Sequence, residues 1–153
     1  MAQQANVHAG VVLLGDRGVL ISGRSGVGKS TLALALIDAV RAQGRFAALV
    51  ADDRVLLRSC RGRVLATAPA PIAGLIELYG LGPVTLAHEP RAVVDLVVRL
   101  VDADSAPRYQ EQASGDLLGI RLPHLDLTKR NAVSAAAAIM ARLALPPFAD
   151  RPR

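Results

Sequence analysis

Cysteine and aromatic side chains are nearly missing from this sequence, and each shortage excludes a class of protein. One cysteine among 153 residues, Cys60, leaves no partner for an internal disulfide and rules out a cysteine-rich zinc site. A lone thiol of this kind reads as a packing or surface residue in a reducing cytosol. Two Phe, two Tyr and no Trp offer few faces for stacked bases, which counts against a binder of single-stranded nucleic acid. No apolar stretch reaches the roughly 18 residues needed to span a bilayer. The opening Met1 to Asn6 lacks the basic start and apolar run of a signal peptide. The expectation is a soluble cytoplasmic protein with neither membrane nor nucleic acid as partner. Blocks of like charge are missing too. The net charge of +5 comes from scattered arginines, which read either as a solvated basic face or as a field that steers phosphates or an acidic protein.

What the chain does have is aliphatic material. At 52% hydrophobic, chiefly Ala, Val and Leu, it can fill one core, and without repeat or linker a single domain over residues 1–153 is expected. Val7 to Leu14 and Val19 to Ser22, joined by Gly15 to Gly18, predict a hairpin. Thr31 to Ala42 has helical spacing, with Gly44 as C-cap. Phe46 to Ala51 reads as a buried strand ending at Asp52-Asp53. Val55 to Leu57 and Arg63 to Ala66 read as a second hairpin, and a Pro-rich loop over Ala68 to Ile72 precedes Leu75 to Leu78. Val93 to Val101 is another strand, Asp102 to Asp116 a mobile loop, and Val133 to Leu145 a helix stopped by Pro146-Pro147. The class is α/β, a mixed sheet with hairpins and flanking helices.

Between the first hairpin and the first helix lies Gly23-Arg24-Ser25-Gly26-Val27-Gly28-Lys29-Ser30. It fits the phosphate-loop pattern G-x-x-x-x-G-K-[ST] in its required strand-to-helix context. Glycines let backbone N–H groups approach phosphate oxygens, and the helix start adds its dipole. Lys29 supplies a point charge to the β- and γ-phosphates, and the Ser30 hydroxyl suits Mg²⁺. Residues Gly23 to Thr31 are therefore the candidate nucleotide-binding set. Asp52 and Asp53 close an apolar strand, where a carboxylate can meet the metal or simply cap a turn. As neighbours on an extended chain they point in different directions, so different roles are expected. A GTPase reading fails for lack of an N-K-x-D element and an ABC ATPase reading for lack of an L-S-G-G-Q segment; Mg-ATP is the expected nucleotide.

With these residues in place, the chain resembles the catalytic domain of HPr kinase/phosphorylase, of the P-loop type shared with phosphoenolpyruvate carboxykinase. The resemblance runs through His8 to Val12, Gly23 to Ser30, Val50 to Val55, Ala66 to Pro69, Leu75 to Gly82 (near the family pattern L-E-I-R-G-[LV]-G) and Lys129-Arg130-Asn131. It implies a Mg-ATP-dependent serine kinase acting on the phosphocarrier HPr in the phosphotransferase system, with phosphorolysis as the reverse reaction. The family's N-terminal domain has no counterpart, as in the short alphaproteobacterial form, and the family is typically hexameric. The resemblance further implies Asp52 as catalytic base, His8 beside that aspartate, Lys29 and Arg130 at the phosphates, and Ser30, Asp53 and Glu77 as oxygen ligands of Mg²⁺. Thr31, Tyr79 and Lys129 depart from the usual Glu, Arg and Gly, which bears on the reverse reaction more than on the forward one, and Arg24 replaces a common Asp, which adds positive charge beside the phosphates and bears on nucleotide affinity. Two rivals remain: a nucleotide-binding regulatory module that transfers nothing, and a small-molecule kinase.

Overall fold

The computed structural model describes residues 3–110 and 113–149. Eleven strands and two α-helices follow one another among them: β1 (Gln4–Val7), β2 (Ala9–Leu14), β3 (Arg17–Ser22), α1 (Lys29–Ala42), β4 (Ala47–Ala51), β5 (Val55–Cys60), β6 (Arg63–Thr67), β7 (Leu75–Leu78), β8 (Gly82–Thr85), β9 (Arg91–Val101), β10 (Ser114–Leu117), β11 (Ile120–Thr128) and α2 (Ala132–Arg142). Nine strands form one mixed sheet in the order β1-β5-β6-β9-β3-β2-β4, with β11 also on β9 and β10 on β11; β7 and β8 form a separate hairpin.

The eleven-residue β9 is the hub. It runs parallel to β3 and to β11 and antiparallel to β6. Its pairs with β6 end at Val93 and its pairs with β11 begin at Val97, so one edge serves two partners in turn. Gly18 makes the β3 contact feasible, since a Cβ there would stand 1.9 Å from the Val93 carbonyl oxygen.

Both faces of the central strands are buried, which is why β2 and β4 read as unbroken apolar runs. Val12, Leu14, Val19 and Ile21 face one core with Leu32, Leu36 and Val40 of α1 and Ile139 of α2. Val11, Leu20 and Val50 face a second core with Val55, Leu57 and Val64. Because β5 and β6 belong to the same sheet as β2 and β4, the sheet must curl to bring them together. Leu117, Leu118, Ile120 and Leu122 pack against this second core.

The two predicted hairpins form as β2–β3 and β5–β6, although Val7 falls in β1 and not in the first of them. Helix α1 ends as expected: Gly44 is left-handed at φ 74, its N–H bonds to Arg41 and that of Arg45 to Val40, a Schellman end. Three expectations are corrected. Helix α1 begins at Lys29 rather than Thr31 because the phosphate loop feeds straight into it. Helix α2 spans Ala132–Arg142, not Val133 to Leu145; Ala144 turns left-handed at φ 54 and Leu145 N–H bonds back to Met140, so the helix stops before the prolines. Asp102 to Asp116 is not structureless throughout: Ala103–Ser105 is a 3-10 turn and β10 starts at Ser114. Glu111 and Gln112 of that stretch lie outside the described residues.

Candidate active site

The sheet's pairing brings the predicted residues to one edge. Antiparallel β2 and β4 are in register at Val11 and Ala51, so residues just before β2 lie beside residues just after β4. That places His8 next to the Asp52-Asp53 pair. Strand β3, on the other side of β2, ends at the same edge and releases the phosphate loop.

Within the loop, Gly28 caps α1 in the left-handed region, at φ 92 and ψ 28. Gly23, at φ 151, sits against Val27 and Leu100; a Cβ there would be 2.8 Å from Val27 Cγ2. Val27 is buried among the helix-side core residues and anchors the loop from below. Lys29, only 8% exposed, donates from Nζ to the carbonyls of Gly23 at 2.7 Å and Arg24 at 3.2 Å. The ammonium thus lies curled within the loop, with loop carbonyls as its acceptors.

A cleft of about 690 Å³ opens over this edge. Ser25, Gly26, Gly28, Lys29, Ser30 and Thr31 line it, as do Asp52, Asp53, Glu77 and Arg130. Gly23, Arg24, Val27 and His8 do not line the cleft. The Ser30 hydroxyl donates to Asp52 Oδ1 at 2.7 Å, and the Glu77 amide donates to Asp52 Oδ2 at 3.0 Å. Asp52 is 6% exposed, so a buried carboxylate joins the phosphate loop to the β7–β8 hairpin.

One expected pairing changes partner. His8 Nε2 contacts Asp53 Oδ1 at 3.1 Å, whereas the resemblance set His8 beside Asp52. The cause is local: Asp53 adopts φ 69 and the Arg54 amide bonds to the Asp52 carbonyl at 2.8 Å. That tight turn sends the second carboxylate outward to the histidine. Among the described residues, no group of three His, Cys, Asp or Glu side chains gathers as a metal cage. Mg²⁺ asks for less, one or two carboxylates with phosphate oxygens and water, and Ser30, Asp52, Asp53 and Glu77 all line the cleft with hard oxygen donors.

Arg130 closes the loop from above. Its guanidinium donates from Nε to the Gly26 carbonyl and its amide donates to the Val27 carbonyl, each at 3.0 Å. Its own backbone is left-handed, at φ 54. Beside it is a residue that sequence reasoning missed. Asp102, at the end of β9, pairs with Lys129 at 2.5 Å and with Arg24 at 3.6 Å. The Lys129 hydrogen bond and charge hold the Asp102 carboxyl below the usual carboxylate range, against an opposing effect of desolvation and with a lesser contribution from the Arg24 charge. Two basic residues noted as departures from the family pattern therefore share one acid. Asn131, noted in the sequence only as part of the Lys129-Arg130-Asn131 segment, has a role of its own; its side chain accepts from the Ser134 amide at 3.4 Å and caps α2, a role its residue type signals.

Comparison with known proteins agrees with this architecture. The family model described as the HPr Serine kinase C-terminal domain matches residues 1–143. An HPr kinase/phosphorylase of Geobacillus thermodenitrificans is 34% identical over 142 residues, covering 85% of this chain and 44% of the relative. That of Neisseria meningitidis is 36% identical over 126 residues, covering 76% of this chain and 36% of the relative. A solved structure, the Hpr(Ser) kinase/phosphatase from Coxiella burnetii, superposes with a TM-score of 0.74 at 26% identity, covering 88% of this chain and 93% of that one. The chain spans less than half the length of these two curated relatives. With a family model matched along nearly its whole length and a phosphate loop in the matching fold, the chain belongs to the HPr serine kinase C-terminal domain family.

Proposed function

We propose that this chain transfers the γ-phosphoryl group of Mg-ATP to a serine of an HPr-type phosphocarrier in the cytoplasm, with phosphorolysis as the reverse direction. The observation that carries this reading is the Ser30–Asp52 hydrogen bond of 2.7 Å at the floor of the cleft. A module that only binds nucleotide has no need for a buried carboxylate against the loop hydroxyl, with Asp53 and Glu77 on the same cleft.

The chemistry asked of the protein is positioning and charge stabilisation. Loop amides and Lys29 hold the β- and γ-phosphates, Lys29 exchanging its carbonyl acceptors for phosphate oxygens. Arg130 presents its planar fork from the opposite side. Ser30, Asp53 and Glu77 would hold Mg²⁺ through their oxygens, and the ion would supply charge neutralisation at the phosphates. Asp52 accepts the serine proton in the forward direction and returns it in phosphorolysis. His8 positions Asp53 and takes no part in the transfer. No helix in the described residues is long and apolar enough to cross a membrane. A hexamer is part of the same proposal and is read by sedimentation.

The test is incubation of the protein with γ-labelled Mg-ATP and HPr, with phosphoserine mapped by mass and Asp52→Asn run alongside. General acid–base help is worth about 10²–10⁴ in rate, so the variant should transfer at least a hundredfold more slowly while still binding Mg-ATP. Tight Mg-ATP binding by the wild type without serine labelling would favour the nucleotide-binding module instead.

A further inference from the structure

The β7–β8 hairpin carries two side chains that the cleft chemistry does not use. At its turn, Tyr79 is fully exposed (107%) and Leu81 is 73% exposed. The Leu81 amide bonds to the Leu78 carbonyl at 3.0 Å, closing a tight turn with Tyr79 and Gly80 at its centre. Single exposed apolar residues are ordinary on proteins. Here, though, two large ones stand on one turn of a hairpin that, among the described residues, pairs with no other strand. The hairpin is not loose: Ile76 is buried in the helix-side core, and Leu78 and Val84 pack against it. The tip is thus a firmly held projection with an apolar end.

Its placement selects the partner. Tyr79 lines the cleft and Leu81 lies beyond it. Two residues before Tyr79, the Glu77 amide bonds to Asp52, which in turn accepts from Ser30. In a phosphate loop that hydroxyl marks the metal and γ-phosphate end, so the hairpin flanks the side where an acceptor hydroxyl must enter. A molecule confined to the cleft reaches Tyr79 without touching Leu81. Only an acceptor larger than the cleft can cover both.

We infer that Tyr79 and Leu81 form an apolar docking lip for a protein acceptor, which rests an apolar patch beside its serine on the hairpin tip while the serine hydroxyl enters the cleft. The inference rests on the kinase reading above and adds the surface by which the acceptor is recognised. Tyrosine is among the residue types that most often carry interface energy once a partner covers them, with the neighbouring apolar contact excluding water.

The test compares wild type, Tyr79→Ser/Leu81→Ser and Tyr79→Phe, with Leu56→Ser on β5 as an exposed-leucine control. HPr is the probe; its transfer kinetics, its direct binding by calorimetry and Mg-ATP affinity are all measured. The double variant should raise KM for HPr and weaken its binding about tenfold or more, with kcat and Mg-ATP affinity within twofold of wild type. Tyr79→Phe and Leu56→Ser should behave as wild type. Unchanged HPr binding in the double variant overturns the docking lip and leaves the kinase reading standing. A parallel loss of Mg-ATP affinity also overturns it, because the tyrosine then serves the nucleotide. Wild type that binds HPr through the tip but never phosphorylates it keeps the lip and removes the reaction, whereas wild type that neither binds nor transfers removes both.

Discussion

Arg130 offers a perturbation in which backbone and side chain can be separated. Its φ of 54 costs a non-glycine residue roughly 1–2 kcal/mol, and its guanidinium donates to the Gly26 carbonyl at 3.0 Å. On an exposed residue such a bond nets about 1 kcal/mol. Arg130→Ala keeps the backbone strain and loses the bond, so it should be less stable by about 1 kcal/mol, a fall of roughly 2–4 °C in Tm for a domain of this size. Arg130→Gly loses the same bond but relieves the strain, offset in part by about 0.5–1 kcal/mol of glycine's chain entropy, and should melt between Ala and wild type. Mg-ATP affinity should not follow that order. Both variants lose the same fork over the phosphates and should bind about tenfold more weakly, the equivalent of about 1.4 kcal/mol. Thermal unfolding and calorimetric titration with Mg-ATP read the two quantities independently. If Arg130→Gly binds like wild type while Arg130→Ala does not, the loop depends on backbone geometry, and the phosphate role of the guanidinium is refuted.

Two further outcomes follow from contacts beside the site. Gly18→Ala places a methyl group 1.9 Å from the Val93 carbonyl oxygen, so β3 and β9 must part; urea unfolding should show a loss of about 3 kcal/mol or more, and a loss below about 1 kcal/mol would contradict so close an approach. Asp102 has its folded carboxyl lowered by Lys129 and Arg24, so its contribution is present above the ordinary carboxylate range and is lost as pH falls through the lowered folded value. Carbon-detected NMR titration should find the Asp102 carboxyl titrating below ordinary aspartates, with Lys129→Ala moving it back up; an unshifted titration in the wild type would argue against the pairing.

Much of this fold was legible because local and global signals coincide. The phosphate loop, the β2–β3 and β5–β6 hairpins and α1 each have a short-range signature in residue type and spacing. Strand β11 had none. Pro123 interrupts Ile120–Thr128, and a proline inside a run argues against a strand. The structure accommodates it because the parallel ladder with β9 begins only at His124. Strand β1 was missed for a related reason: Gln4–Val7 is short and half polar and reads as strand only through its pairing with β5. The Arg24–Asp102–Lys129 cluster joins residues far apart in the chain, and no local pattern could have united them. Of the site itself, the cleft gathers most of the expected side chains, and proximity in sequence misled only where two aspartates adjoin.

That adjacency is worth following to its chemical consequence. Asp52 remains buried at the end of β4 and accepts from both the phosphate loop and the hairpin, so its position is fixed by two elements at once. Asp53, one residue on, has turned left-handed and stands 57% exposed against a half-exposed histidine. A carboxylate held on both oxygens keeps its geometry through a catalytic cycle, as a proton acceptor at a reacting hydroxyl must. A more exposed one can adjust its reach, which suits a metal ion that retains water and follows the phosphates. The single positive φ at Asp53 therefore does what the sequence could only anticipate: it divides two identical side chains into a rigid member facing the loop and an adaptable member at the rim. An asparagine or glycine at position 53 would retain that turn, whereas a β-branched residue there would oppose it and could draw Asp52 out of its hydrogen bonds with Ser30 and Glu77.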